Sequence, residues 1–300
     1  MAPRKETCFY IFRKNAPDFD GPGDERLLRK AVRSTSEYTK MFDGAGGCKA
    51  IGEASVYYMY RPDVLDEIAA ELPGVKAIAI LRDPARRAFS AYSQLVRDGR
   101  ETAGSFAEGL AAEDARVAQG WEYIWHYRRQ SLYVPQVRAL ISAFGADRVK
   151  LFRHEDFVSD PLAVAREAFS FLGVDPEYRP NIGARPNVSG MPRSPRFHSL
   201  LTEPGRLKNA FRSIVPGNLS QAIFRTVHNA NIRPLEKPMD TIEHLSRSLA
   251  PDIQELQSLI GRDLSRWMSS MNGSASSPLL DVAPTNGRPG ERSRPPTGRH

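Results

Sequence analysis

Residues 75–101 read VKAIAILRDPARRAFSAYSQLVRDGRE and join an apolar strand pattern to a helical pattern. The run 75–81 is short and rich in Ile, Val and Ala, which is typical of a buried parallel strand. Asp83 is a favourable helix N-cap, and Pro84 suits the first helical position. The stretch therefore predicts a strand that leads directly into a helix.

Polar side chains recur along the predicted helix at spacings of three and four residues. They are Arg87, Ser90, Gln94 and Arg97, and this spacing places them on one helix face. Arg82 stands at the junction between strand and helix. A helix start with arginine and serine side chains near it is suited to binding an anion. The stretch therefore also predicts an anion site.

The rest of the chain alternates strand-like and helical stretches. Strand patterns are expected at residues 7–12, 48–52, 75–81 and 147–153. Helical patterns are expected at residues 24–42, 62–72, from Pro84 onward, 105–120, 121–144, 161–172, in patches over 199–229, and within 239–271. This order predicts an α/β fold, a parallel β-sheet flanked by helices, with a helical C-terminal part. No clear strand is expected after Gly173.

The pattern divides the chain into one domain at residues 1–271 and a tail at residues 272–300. The tail is rich in Pro, Gly, Ser and Arg and lacks apolar periodicity, so we expect it to be disordered. It is basic, and a solvated extension is favoured over a contact with nucleic acid or membrane.

Composition and charge narrow the classes of protein. The net charge of +7 fits an anionic partner such as a nucleotide with several phosphates. The sequence lacks the stripe of basic and aromatic residues that would indicate a nucleic-acid binder. No apolar run approaches the roughly 20 residues that cross a bilayer, and the N-terminal segment carries charges unlike a signal peptide. Cys8 and Cys48 form no disulfide framework or metal cluster, and both are expected to be buried thiols. We therefore expect a cytoplasmic protein without stable membrane insertion and without a metal.

The strand–helix stretch resembles the 3′-phosphate-binding segment of sulfotransferases that use PAPS (3′-phosphoadenosine 5′-phosphosulfate). Other segments resemble motifs of that family in the same order along the chain. They are Lys5-Glu6 with Phe9-Tyr10, Tyr38 with Phe42, Gly52-Glu53-Ala54-Ser55 with Tyr57 and Tyr58, residues 149–156 (VKLFRHED), Phe171-Leu172-Gly173-Val174, Asn187-Val188-Ser189, and residues 252–267. The ordered set identifies the chain as a member of this family, which implies the P-loop-like fold of bacterial and Golgi glycan sulfotransferases.

The resemblance implies roles for residues around the junction. Arg82 and Ser90 match the family's contacts to the 3′-phosphate of PAPS, for which a guanidinium fork and a hydroxyl donor are suited. Arg87 is implied as a further cofactor contact, with an internal salt bridge as the alternative. Gln94 matches a position that contacts the acceptor in related glycan sulfotransferases, with a solvated helical glutamine as the alternative.

A second group of implied site residues lies near the N-terminus. Glu6 matches the family's catalytic glutamate, the general base that takes the acceptor proton, and Lys5 would neutralise the sulfate or the leaving phosphate. Glu53 is implied to orient the acceptor, with a buried structural partner of an arginine as the alternative. Asn187 lies in a Pro-rich loop, and loops of α/β proteins often line substrate sites.

The implied activity is transfer of a sulfuryl group from PAPS, without a metal, to a hydroxyl or amine of a glycan, lipid or small molecule. In this family, a K-x-G-T-T-S-L-like loop binds the 5′-phosphosulfate. The loop precedes the segment that Lys5-Glu6 matches, and the given sequence has no such loop before Lys5. The run 44–49 (GAGGCK) lacks the Ser or Thr after lysine and precedes a predicted strand, so a connecting turn is favoured there.

The missing loop leaves two hypotheses open. We expect a start site placed too late in an active sulfotransferase. The alternative is a catalytically inactive, sulfotransferase-like binding protein. The sequence names neither the acceptor nor the oligomeric state.

Overall fold

The computed structural model describes residues 2–14, 16–182, 191–192, 232–233 and 236–268. The strands are β1 (Ala77–Leu81), β2 (Val149–Arg153), β3 (Met191–Pro192) and β4 (Ile232–Arg233). The α-helices of these residues are α1 (Phe9–Phe12), α2 (Glu25–Lys30), α3 (Thr35–Lys40), α4 (Pro62–Glu71), α5 (Pro84–Arg97), α6 (Phe106–Ala111), α7 (Glu113–Ala118), α8 (Tyr133–Phe144), α9 (His154–Ser159), α10 (Pro161–Leu172), α11 (Met239–Ile260) and α12 (Ser265–Met268). Short 3-10 helices lie at Asp43–Ala45, Tyr58–Tyr60, Tyr123–Trp125, Arg129–Ser131 and Ala146–Arg148.

Two parallel strands joined through helices confirm the predicted α/β fold. β1 pairs with β2, with Ala77 opposite Val149 and Leu81 opposite Arg153. The connection between them contains α5 to α8, in keeping with the long crossover that parallel strands require. β3 and β4 form a separate antiparallel pair after Gly173, where no strand was expected. Two-residue strands are too short to show a sequence period.

The predicted strand over residues 7–12 is wrong. Glu6 and Cys8 have left-handed backbone angles, with φ of 55° and 48°, and α1 follows them. All four residues of α1 are buried. A short apolar run that is buried on every side has no periodicity to distinguish a strand from a helix.

The predicted strand over residues 48–52 is also wrong. These residues form neither helix nor strand. Cys8 is buried as predicted, whereas Cys48 is exposed, and so is Ile51. Glycines precede this run, and no burial among the described residues stabilises a strand at Cys48 or Ile51.

The predicted helix over residues 24–42 is interrupted between α2 and α3. The backbone N–H of Val32 donates to the carbonyl oxygen of Thr7 over 2.9 Å, and Val32 is fully buried. Ser34 then caps α3 with its hydroxyl oxygen. Because Val32 binds a distant segment, tertiary contacts override the local helical pattern.

The predicted helical region 121–144 is an α-helix only in its second half, α8. Preceding residues form 3-10 turns. The first backbone N–H groups of α8, those of Tyr133 and Val134, donate to the carboxylate of Asp252 over 2.8 and 3.2 Å. Asp252 belongs to α11, so the C-terminal helix satisfies the start of α8 as a cap normally does.

Two adjoining clusters of buried side chains form the core. The first packs α5 against α11 and the turns before α8, and includes Leu95, Trp125, Tyr127, Leu249 and Ile253. The second packs α1 against α4 and α8, and includes Phe9, Val32, Leu65, Leu140 and Phe144. Both clusters lie against β1 and β2, whose carboxyl ends are left at one edge. Among the described helices, none combines the length and apolar character needed to span a membrane.

Candidate active site

The strand–helix junction that the sequence predicts is present at the carboxyl end of β1. Asp83 is buried and caps α5, where its carboxylate accepts a hydrogen bond from the backbone N–H of Arg86 over 3.0 Å. Pro84 occupies the first helical position, as predicted. Ligands of parallel α/β sheets bind at the carboxyl ends of the strands. The junction therefore lies where a site is expected.

Arg82 lies half-buried at this edge. Burial lowers the pKa of its guanidinium, and the charges of Glu155 and Asp83 oppose that effect. Within the described ranges, no side chain forms a hydrogen bond or a close ion pair with this guanidinium. A partly desolvated cation without a directly bonded counter-charge is stabilised by a bound anion.

The outer side of α5 carries Ser90 and Gln94. Ser90 is half-buried and Gln94 is exposed. The opposite side packs into the core through Ala85, Ala88, Phe89, Tyr92 and Leu95. Ser90 and Gln94 therefore follow Arg82 along a face that a ligand can reach, while their contacts to cofactor and acceptor stay predictions.

Arg87 turns away from this face into the protein. Its guanidinium donates to the hydroxyl of Ser131 over 2.8 Å, to the side-chain oxygen of Gln130 over 3.0 Å, and to the carbonyl oxygen of Tyr127. These acceptors are neutral, so its contacts among the described residues are hydrogen bonds and not the alternative salt bridge. Arg87 holds residues 127–131 against α5, and its cofactor contact stays a prediction.

The N-terminal group is built around Glu6. Its backbone N–H donates to the carbonyl oxygen of Ala54 over 2.9 Å, and its carboxylate accepts from the N–H of Val56 over 3.0 Å. Burial raises the pKa of Glu6; the hydrogen bond from Val56 opposes the rise, and the nearby charge of Glu53 adds to it. A carboxylate with a raised pKa is a stronger base, which suits a group that takes a proton.

Glu53 lies beside Glu6 in a network of hydroxyl groups. Its Oε2 accepts hydrogen bonds from the hydroxyls of Thr7 and Ser55, the latter over 3.2 Å. Its Oε1 is buried, and no described group donates to it. The alternative of an arginine partner is therefore wrong within the described part of the chain, since hydroxyl groups hold this carboxylate.

The turn that carries Glu6 is conformationally strained. A left-handed conformation costs an L-residue about 1–2 kcal/mol, and Glu6 and Cys8 both adopt it. Thr7 between them is fully buried. Such strain persists only where the surroundings over-determine the backbone, and it concentrates at functional sites. Lys5, next to the turn, is exposed, and its role stays a prediction.

Tyr57 lies buried near the Glu6 turn. Burial raises the pKa of its hydroxyl well above the ordinary value, and the charges of Glu122 and Glu6 add to the rise. The hydroxyl donates to Glu122 over 2.9 Å. Sequence reasoning does not assign Tyr57 or Glu122 to the site, because their pairing joins distant segments.

His154, which sequence reasoning also misses, follows β2 directly. Because Leu81 lies opposite Arg153, Arg82 and His154 are neighbours at the sheet edge. Burial lowers the pKa of the His154 imidazole, and the charge of Arg82 lowers it further, whereas Glu155 opposes the change. The signal that could find His154 is its position as the first residue after the next parallel strand.

Asn187 lies outside the described residues, so its substrate contact stays a prediction. Across the residues that the structure describes, no three His, Cys, Asp or Glu side chains are grouped so that they could hold a metal ion.

The chain resembles known proteins in sequence and in fold. A family model described as the sulfotransferase family matches residues 26–178. The crystal structure of a sulfotransferase from Alicyclobacillus acidocaldarius is 34% identical, with 88% of this chain and 86% of that chain covered and a TM-score of 0.68. The sulfotransferase domain from the curacin biosynthetic pathway is 14% identical, with 80% of this chain and 72% of that chain covered and a TM-score of 0.37. No curated protein sequence matches the chain.

Proposed function

This chain belongs to the sulfotransferase family, and we propose that it transfers a sulfuryl group from PAPS to a hydroxyl or amine of a glycan, lipid or small-molecule acceptor. The observation that carries the proposal is Arg82. Its guanidinium is desolvated at the carboxyl edge of β1, and no described side chain forms a close ion pair with it. A phosphate group of a nucleotide would pair directly with this guanidinium.

The residues around Arg82 fit a phosphate. The planar guanidinium offers two parallel donors to phosphate oxygens, and the hydroxyl of Ser90 offers a third donor on α5, the helix that follows Arg82. The start of α5 adds the positive end of the helix dipole. These features support binding of the 3′-phosphate of PAPS at this edge of the sheet.

The proposed reaction is a direct displacement at sulfur. The bond from sulfur to the bridging oxygen of the phosphosulfate breaks while the acceptor oxygen or nitrogen bonds to sulfur. The acceptor proton passes to the carboxylate of Glu6, and 3′-phosphoadenosine 5′-phosphate (PAP) leaves. As in phosphoryl transfer, catalysis depends mainly on positioning and on positive charge near the developing anion. Lys5 is the proposed source of that charge, and no metal is included.

The similarity to the Alicyclobacillus acidocaldarius protein, which is described as a sulfotransferase, supports the enzyme and does not favour the alternative of an inactive binding protein. We also propose a cytoplasmic location. Cys8 and Cys48 are both free thiols, and free thiols persist in a reducing compartment.

Calorimetric titration with PAP tests the proposal without knowledge of the acceptor. Wild-type protein should bind PAP, and Arg82→Ala should weaken binding about 10- to 100-fold, because a hydrogen bond to a charged group contributes about 1.5–3 kcal/mol. The control is Arg29→Ala, which removes the same charge from an exposed position on α2. A folded wild type that does not bind PAP, or an Arg82→Ala variant that binds it as well as the control does, would contradict the proposal.

A further inference from the structure

The turn at residues 6–8 is held in place from across the molecule. The Glu6 N–H and carboxylate bind Ala54 and Val56, as described above, and the N–H of Cys8 donates to the hydroxyl oxygen of Ser55 over 3.0 Å. All three contacts go to residues 54–56. Since Glu6 and Cys8 both carry left-handed angles, the turn depends on these contacts to keep its shape.

Glu53 joins the two sides of this arrangement. One of its oxygens accepts from the Thr7 hydroxyl, on the turn, and from the Ser55 hydroxyl, on the segment that holds the turn. Ser55 uses its single hydroxyl proton for Glu53 and its oxygen for the N–H of Cys8. Thr7 likewise donates to Glu53 and accepts from the N–H of Phe9 over 3.4 Å. The Thr7 hydroxyl also lies 3.5 Å from the hydroxyls of Ser55 and Tyr58. The Glu53 carboxylate is the acceptor that Thr7 and Ser55 share.

We propose that Glu53 is a positioning residue for Glu6, which it holds in place through Thr7 and Ser55. The role rests on the proposed function, in which Glu6 takes the acceptor proton. It replaces the sequence-based expectation that Glu53 itself contacts the acceptor, because the Glu53 oxygens are either bonded to hydroxyls of the turn region or buried. An ionised carboxylate forms stronger hydrogen bonds than a neutral acceptor does, which suits a strained turn.

Glu53 acts on Glu6 in two separable ways. The hydrogen bonds fix the turn, and the negative charge makes proton binding by Glu6 more favourable. The other groups that face Glu6 are the Lys5 ammonium, which has the opposite effect, and the Cys8 thiol and Tyr57 hydroxyl, whose pKa values burial raises. Both stay neutral at physiological pH, so Lys5 and Glu53 are the described charges that set the basicity of Glu6.

Two variants separate these contributions. Glu53→Gln removes the charge and keeps an oxygen that accepts a hydrogen bond, whereas Thr7→Val keeps the charge and removes one donor from the turn. Matched controls are Glu25→Gln, in the exposed ion pair of α2 with Arg29, and Thr39→Val, whose hydroxyl donates to backbone carbonyl oxygens of its own helix. The controls report what each chemical change does away from the turn.

Two readouts need no acceptor. The first is the pKa of Glu6, measured by NMR titration of its side-chain carboxyl carbon, whose signal is identified by its loss in Glu6→Gln. The second is hydrogen exchange of the Val56 amide, which reports the hydrogen bond from Val56 to Glu6. In Glu53→Gln the pKa of Glu6 should fall by about half a pH unit or more, because a neighbouring like charge is removed. In Thr7→Val the exchange of Val56 should accelerate about tenfold, and the pKa of Glu6 should rise as that hydrogen bond weakens.

The inference is overturned if both variants match their controls in the titration of Glu6 and in the exchange of Val56. PAP titration of the same samples keeps the two proposals apart. A wild type that fails to bind PAP contradicts the proposed function, while the NMR readouts still decide whether Glu53 positions Glu6. Normal PAP binding with unchanged NMR readouts contradicts the positioning role alone.

Discussion

The junction at Arg82 and the turn at Glu6 are built in opposite ways. At the junction, neighbours in sequence supply the structure, because Asp83 caps its own helix and Pro84 begins it. At the turn, the partners are Val32 and residues 53–56, which lie about 25 and fifty positions along the chain. Local capping therefore fixes where α5 begins, with an added long-range hydrogen bond from the Asp83 N–H to Glu155 over 3.3 Å. The proposed base, in contrast, depends on contacts with segments distant in sequence. Binding and proton transfer should therefore respond separately to mutation.

The largest separation is expected for Glu6→Gln. Glutamine keeps the shape of the side chain but cannot take a proton, so kcat should fall about 10²- to 10⁴-fold. The PAP affinity should stay unchanged, because the junction does not depend on this side chain. Activity is measured with an acceptor found by screening with PAPS, and PAP binding is measured by calorimetry.

The control for Glu6→Gln is Glu25→Gln, which removes a carboxylate charge from an exposed site. Two outcomes would contradict the assignment of nucleotide binding and proton transfer to separate regions. They are an equal loss of kcat in both variants and a loss of PAP binding in Glu6→Gln.

The same contrast explains which parts of the fold the sequence predicts. The start of α5 follows from an N-cap and a proline, and the strand β1 follows from a short apolar run, so local chemistry suffices for both. The predicted burial of that strand is wrong at Ile78 and Ile80, which are exposed. The run at residues 7–12 is equally apolar, yet two left-handed residues and long-range hydrogen bonds turn it into a helix. The break after α2 has the same cause, since Val32 binds the backbone of Thr7.

The side-chain contacts of the candidate site are also only partly predictable from sequence. A motif identifies Arg82 and Glu6 as candidates, but it does not show which way Arg87 points, because that depends on the neutral acceptors of the turn before α8. Nor does a motif show that Glu53 binds Thr7, or that His154 is the neighbour of Arg82, because strand register and tertiary packing decide both.

A second prediction concerns the buried histidine His126, which contacts Arg87 of α5 and Tyr60. His126 accepts a hydrogen bond from Arg87 at its carbonyl oxygen over 3.4 Å, and its Nδ1 lies 2.9 Å from the hydroxyl of Tyr60. Burial lowers the pKa of His126 to about 4. The unfolded chain has a histidine pKa of about 6.5, so it binds the proton first as pH falls.

The fold should therefore lose stability between about pH 6.5 and pH 4. At pH 4.5 the penalty from His126 should be about 2 kcal/mol relative to pH 7.5. Urea unfolding at both pH values, for wild type and His126→Gln, measures it. Carboxylates titrate in the same pH range and change the stability of both proteins. The quantity to compare is therefore the difference in unfolding free energy between wild type and His126→Gln at each pH. A stability difference that is the same at both pH values would show that folding does not lower the pKa of His126.

The smallest effect is expected at Ser90, and it tests whether the nucleotide lies on the face of α5 that carries this residue. Ser90→Ala removes one hydroxyl donor and should weaken PAP binding about 3- to 10-fold, the contribution of a single neutral hydrogen bond. Alanine favours helix more than serine does, so a loss of affinity would not come from unfolding of α5. The control is Ser93→Ala, on the same helix, whose hydroxyl donates to the carbonyl oxygen of Phe89 over 2.7 Å. If Ser93→Ala weakened binding and Ser90→Ala did not, the nucleotide would approach α5 from another side, and Arg82 would have to bind it without the helix face that follows it.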